Sequence, residues 1–179
     1  MRGRGHRRMW YAVPVALLLA GCGAPAPAPR PAPEQSSTFG GTDRAWIEIT
    51  LAMHEQVVPL LDVVPAHTGT AATRDLAARV RVFTEAELPE LRALHELAGL
   101  PAENPHVGMP MPGMVTEPEL AEMTALTGPA FDAAATAKIG EAVEQAITLA
   151  RSEQQNGTDP RTRALAAEVL AARTAVSSR

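Results

Sequence analysis

Apolar residues recur at helical spacing in four stretches of the chain: Trp46, Ile49, Met53, Val57, Leu60 and Val64; Leu76, Val80, Phe83, Leu91 and Leu94; Phe131, Ala135, Ile139, Val143, Ala146 and Ala150; Leu165, Val169, Ala172 and Val176. Each set makes one stripe on an amphipathic helix. Thr42 or Asp43 is placed to cap the first helix. Pro65 and Gly69 mark its exit. The second runs from about Thr70 to Ala98, where Gly99 and Pro101 stop it. Pro59 and Pro89 lie inside these two helices and are expected to bend them. Thr116-Glu117-Pro118-Glu119 reads as a capping box opening a short helix to about Leu126. Gly128-Pro129 ends that helix. The third long helix closes at Asn156-Gly157, and Asp159-Pro160 starts the last as an N-cap with proline at the first helical position.

The two halves repeat. Thr73-Arg74-Asp75-Leu76-Ala77-Ala78-Arg79-Val80 matches Thr162-Arg163-Ala164-Leu165-Ala166-Ala167-Glu168-Val169, 89 residues later. The same offset lays His54-Glu55-Gln56-Val57-Val58-Pro59-Leu60 on Val143-Glu144-Gln145-Ala146-Ile147-Thr148-Leu149. Two helix pairs in one register point to a duplicated helical hairpin. Two hairpins sharing one core make an all-α, four-helix bundle. With 3% aromatic residues and abundant alanine, the helices are expected to pack closely on small side chains.

Between the hairpins lies His106-Val107-Gly108-Met109-Pro110-Met111-Pro112-Gly113-Met114, with three of the chain's seven methionines. Its prolines exclude a regular helix. Here the chain resembles the ferritin-like bacterial family called domain of unknown function 305. Met111-Pro112-Gly113-Met114-Val115-Thr116, followed by Glu119-Leu120, matches that family's linker. Gly128-Pro129-Ala130-Phe131-Asp132 matches the run that opens its second hairpin. The resemblance covers about residues 43–176 and implies a ferritin-like bundle in a secreted or envelope protein, with a link to copper handling in some members. It also implies a His-His and Gln-x-x-Glu site in each hairpin. Here Met53-His54 stands at the first His-His, Thr84 replaces the glutamine and Glu87 keeps the acid. Ala142-Val143 replace the second His-His, and Arg173 and Val176 replace its Gln and Glu.

The N-terminus changes the picture of location. Arg2, Arg4, Arg7 and Arg8 precede an apolar run from Trp10 to Ala20, too short for a membrane-spanning helix of about 20 residues. It ends Leu19-Ala20-Gly21-Cys22, which resembles a bacterial lipobox and implies lipidation of Cys22, the only cysteine. Residues 1–21 are therefore expected to be a lipoprotein signal peptide, residues 22–41 a Pro/Ala/Ser/Gly-rich tether, and residues 42–179 the bundle. Within the bundle, hairpin one spans 42–99, the linker 100–128 and hairpin two 129–178. The protein would face the extracytoplasmic side of the cell membrane, held by several acyl chains. Cleavage removes four of 16 basic residues and none of 20 acidic ones, so the formal charge falls from −4 to −8. That disfavours nucleic acid as a partner; no protein partner can be read.

Two groups of residues are candidates for chemistry. His54 and Glu87 sit near inward-facing stripes, and a buried carboxylate needs a partner. Folding the hairpin about residue 68 sets them about 7.5 Å apart along the helices, so contact would need stagger or a bridging water. They can be read as a metal site or as a polar pair between helices, and the pair is preferred because one His and one Glu do not complete a usual transition-metal shell. His106, Met109, Met111 and Met114 offer soft ligands suited to Cu(I). Packing of the linker over the bundle is the preferred reading for them, as methionine commonly does this. Met53 could join either group. His95 is expected to meet the C-terminal dipole of its helix, and His67 to be solvated in the hairpin loop. No catalytic motif is present, and no enzyme is expected. Two functions remain: weak binding or buffering of a copper-like metal, or a structural or partner-binding module without metal.

Overall fold

The computed structural model describes residues 39–177. The expected signal peptide, Cys22 and the expected tether up to residue 38 lie outside them. Five helices follow in order: α1 Gly41–His67, α2 Ala71–Leu97, α3 Glu117–Thr124, α4 Gly128–Asn156 and α5 Pro160–Ser177. The described residues contain no strand.

Helix α1 starts earlier than expected. Gly40 is its N-cap, and Asp43, three residues on, accepts the Gly40 N–H at 2.6 Å. The helix also continues through Pro59 and Pro65 to His67, and α2 continues through Pro89. All three prolines are exposed, so the carbonyl that each leaves without a helical donor need not be sealed in a dry core. Helix α2 ends at Ala98 with Gly99 at φ +60. There Leu100 N–H reaches His95 O at 3.2 Å and Gly99 N–H reaches Glu96 O at 2.9 Å, the paired bonds of a Schellman ending. The capping box at Thr116 forms: its hydroxyl accepts from Glu119 N–H, and Glu119 Oε2 accepts from Thr116 N–H at 2.8 Å. His67 is not a solvated loop residue. It closes α1, donates from Nδ1 to Val63 O at 2.9 Å, and stacks on Phe131 with ring centroids 5.1 Å apart.

The repeat is visible in the elements themselves. Helices α4 and α5 meet between Asn156 and Pro160, each 89 residues after the α1 end at His67 and the α2 start at Ala71. The long helices form two antiparallel hairpins, α1/α2 and α4/α5, that also pack on each other. Two apolar clusters fill the bundle. One gathers Trp46, Ile47, Met53, Leu91, Leu94, Leu165 and Val169. The other gathers Leu60, Val64, Val80, Phe131, Ile139 and Val143. Each large side chain so buried contributes about 1.5–3 kcal/mol. These stripes, rather than intrinsic helix propensity, hold the helices together. The α5 stripe differs most from expectation: Arg173 is buried, while Ala172 and Val176 are only half-buried. Along α1 and α2, the polar residues His54, Thr84 and Glu87 fall between the two apolar clusters.

Candidate functional site

Three helices supply a buried ionic centre. His54 comes from α1, Glu87 from α2 and Arg173 from α5, and Arg173 is only 2% exposed. His54 Nε2 lies 2.7 Å from Glu87 Oε2, and 2.9 Å from Arg173 Nη2. Arg173 Nη1 donates to Glu87 Oε1, and the guanidinium carbon lies 4.0 Å from the centroid of the Phe83 ring. His54 and Glu87 therefore touch directly, with no bridging water. Arg44 with Ala98, Glu55 with Arg92 and Asp62 with Arg81 are paired across the hairpin. These pairs centre it near residue 71 or beyond, not 68, because α1 runs on through Pro65. That shift brings residue 87 level with residue 54.

The charges nearly balance. Burial raises the Glu87 carboxyl, but the His54 hydrogen bond and the Arg173 charge outweigh it and hold the group below its ordinary value. Burial lowers the His54 imidazole; the Glu87 bond opposes this, the Arg173 charge adds to it, and the net is a lowered pKa. Burial also lowers the Arg173 guanidinium, against the pull of Glu87, but a guanidinium stays charged. Arg173 and Glu87 thus form the ion pair, and His54 is neutral beside them. Its Nε2 lies in hydrogen-bond range of both partners and serves one at a time: protonated there, the neutral ring donates to Glu87 Oε2, and with the proton on Nδ1 it accepts the Arg173 N–H.

This arrangement does not suit a metal. A cation would need His54 Nε2 and a Glu87 oxygen, and Arg173 already holds both residues. A divalent ion there would also sit against a fixed positive charge. Among the described residues, no three His, Cys, Asp or Glu side chains come together so as to hold an ion. Beside the centre is a cavity of about 20 Å³ lined by Met53, His54, Thr84, Val143 and Arg173, among others. It has room for one water. Its walls follow the repeat: Met53 with Ala142, His54 with Val143, Val57 with Ala146, and Thr84 with Arg173 are all 89 residues apart.

The linker residues are placed elsewhere, and none of them lines this cavity. Met114 is 1% exposed and belongs with Met53 to the first apolar cluster, on which Met111 packs. Gln56 Nε2 donates to Met114 Sδ at 3.3 Å, and Gln56 Oε1 accepts the Gly108 N–H at 3.0 Å. Gly113 has φ +81, and a methyl added there would meet Gln145 Cβ at 2.7 Å and Met53 Cε at 2.8 Å. So the linker folds back onto α1 and α4. Met109 remains 43% exposed, and His106 is half-buried, with no partner for Nδ1 among the described residues. His95 lies in the last turn of α2, as expected, but its buried Nε2 likewise has no partner there.

Sequence reasoning did not assign Arg173 to the core. Two signals were available. Arg173 lies four residues after Val169 and eight after Leu165, on their stripe, and it is the repeat equivalent of Thr84, one turn from Glu87.

The fold and centre define an all-α four-helix bundle made of two repeated hairpins around a buried ion network. The chain belongs to the family described as domain of unknown function (DUF305), whose sequence model matches residues 43–179. Its fold is similar to two crystal structures of that family. One is a candidate secreted protein from Streptomyces coelicolor, with TM-score 0.63 and 20% identity over 75% of this chain and 86% of that one. The other is a fragment from Deinococcus radiodurans, with TM-score 0.68 and 16% identity over 77% of this chain and 91% of that one. No curated protein matches the chain. No helix among the described residues is long and apolar enough to cross a membrane.

Proposed function

We propose that the chain is an envelope-anchored, non-catalytic helical module whose core is closed by its own cation, Arg173, and takes no metal there. The observation that carries this reading is the guanidinium engaged with both Glu87 and His54. The burial of Met53 and Met114 in one apolar cluster supports packing as the work of these methionines. Anchoring rests on Cys22 at the end of the apolar run, and the candidate secreted relative agrees with an extracytoplasmic setting. Cys22→Ser is expected to abolish incorporation of labelled palmitate and release the protein from the membrane fraction; unchanged labelling refutes the anchor.

A second reading is kept by the exposed Met109 and by His106 Nδ1, which has no partner among the described residues: weak binding of a copper-like ion at the linker. Competition against a chromogenic Cu(I) chelator separates the two. The first reading expects the same weak affinity in the wild type, in H106A/M109A, and in M109A/M111A/M114A. Tenfold tighter binding by the wild type than by H106A/M109A establishes the second. A chelator that lowers the Tm of protein taken from its native envelope overturns the metal-free core.

A further inference from the structure

At one end of the bundle, two carboxyl groups are buried together. Asp43, in the first turn of α1, and Glu153, in the last turn of α4, are both 0% exposed. Their supply of donors differs sharply. Asp43 accepts the Gly40 N–H at 2.6 Å, the Thr158 N–H at 3.0 Å, the Asp159 N–H at 3.0 Å and the Thr158 hydroxyl at 2.7 Å. With four donors around it, Asp43 is the ionised member. Neither oxygen of Glu153 meets a donor among the described residues. The Glu153 carboxyl fills the space that a side chain at Gly157 would take, since a methyl there would overlap it. A bare carboxylate pressed beside another in a closed site is strongly disfavoured.

We propose that Asp43 and Glu153 share one proton, carried by Glu153 and donated to Asp43, and that this proton latches the start of α1 to the turn between α4 and α5. Asp43 joins Gly40 on one side to Thr158 and Asp159 on the other, so it is the pin of the latch. Asp159 also pairs with Arg161, whose guanidinium lies 5.2 Å from the Phe39 ring centroid. The latch thus holds the residues through which the N-terminal segment enters the bundle.

The charged groups facing Glu153 give the direction. Burial comes first, then Asp43 on α1, and together they push the Glu153 carboxyl up to about 8. Asp159, the cap of α5, adds to the rise and Arg163 on α5 opposes it. Burial raises Asp43 as well, but its bonds from Thr158, Glu153, Asp159 and Gly40 outweigh this and keep it below its ordinary value. An acid raised in the closed state stabilises that state most below its free value of 4.5, and the advantage is lost as pH rises to about 8. Opening therefore increases up to tenfold per pH unit across that window and levels off above it.

Amide exchange and carboxyl NMR on the full chain test this. After correction for intrinsic rates, protection of the Thr158 and Asp159 amides is expected to fall by up to about a hundredfold between pH 6 and pH 8. In Glu153→Gln, whose amide has no such proton to lose, protection stays flat. The ¹³C signal of the Glu153 carboxyl in the wild type gives a direct reading even if that variant does not fold. Titration near 4.5, a flat wild-type profile, or the same fall in Glu153→Gln overturns the latch.

Discussion

Replacing Arg173 with methionine isolates the role of the internal cation. The change keeps a long side chain in the core but leaves the Glu87 carboxylate buried with only His54 beside it. Removing one member of a buried ion pair costs about 3–5 kcal/mol, and loss of the contact with Phe83 adds up to about 2 kcal/mol. The pH dependence is the sharper part. In the wild type, His54 has its pKa below the ordinary 6.5. A buried neutral histidine contributes stability that is complete above about 6.5 and is lost as pH falls toward the lowered value. Without Arg173, the charge that opposed the imidazolium is gone and Glu87 favours it. The His54 pKa then rises from its lowered value, so the variant loses less stability than the wild type as pH falls below 6.5. Urea unfolding from pH 5 to pH 8 is expected to show a large deficit at pH 8 that shrinks by up to about 1.4 kcal/mol per unit on acidification. Glu153 contributes to both proteins and cancels in the difference. A deficit that stays constant or widens on acidification refutes the assignment of His54 as the neutral neighbour of an Arg173–Glu87 pair.

Replacing both charges, as in E87M/R173M, is expected to give stability within about 1 kcal/mol of the wild type or above it; a loss as large as that of R173M alone would show that the ion pair is itself a net source of stability. Gly113→Ala places a methyl against Met53 and Gln145 at positive φ and is expected to cost about 1–3 kcal/mol. Gly69→Ala, which meets nothing within 4 Å, serves as the near-neutral control in the same thermal melts. Thr116→Ala removes the hydroxyl that caps α3 and is expected to cost about 1 kcal/mol.

The stripes, the repeat and the stops at Gly99 and Gly157 were legible because each is a local pattern, whereas Gly128, expected to end α3, instead begins α4. Asp159-Pro160 opened α5 as expected for the same reason. The proline boundaries were less legible. Pro65 breaks a pattern on paper, but it lies on the exposed side of α1, where the missing bond is easily lost. That one turn of extra helix moved the hairpin register and brought His54 onto Glu87. Arg173 was illegible for a different reason: a charge at a core position reads as an interruption until its partner from another helix is known. Glu153 escaped notice because its burial depends on Asp43 and Gly157, which are far from each other in the sequence. The linker was legible as a motif, but which methionines it buries depends on where Gly113 crosses α1 and α4.

The unequal endowment of the two halves has a structural corollary. Hairpin one brings the acid, Glu87, whose repeat equivalent is Val176, and hairpin two brings the cation, Arg173, whose repeat equivalent is Thr84. Two copies of the first hairpin, mated across the same axis, would put Thr84 where Arg173 stands and leave Glu87 without a guanidinium. Two copies of the second would strand Arg173 in oil. Neither arm is self-complementary, so the chemistry at the axis favours pairing of a first hairpin with a second over pairing of like with like.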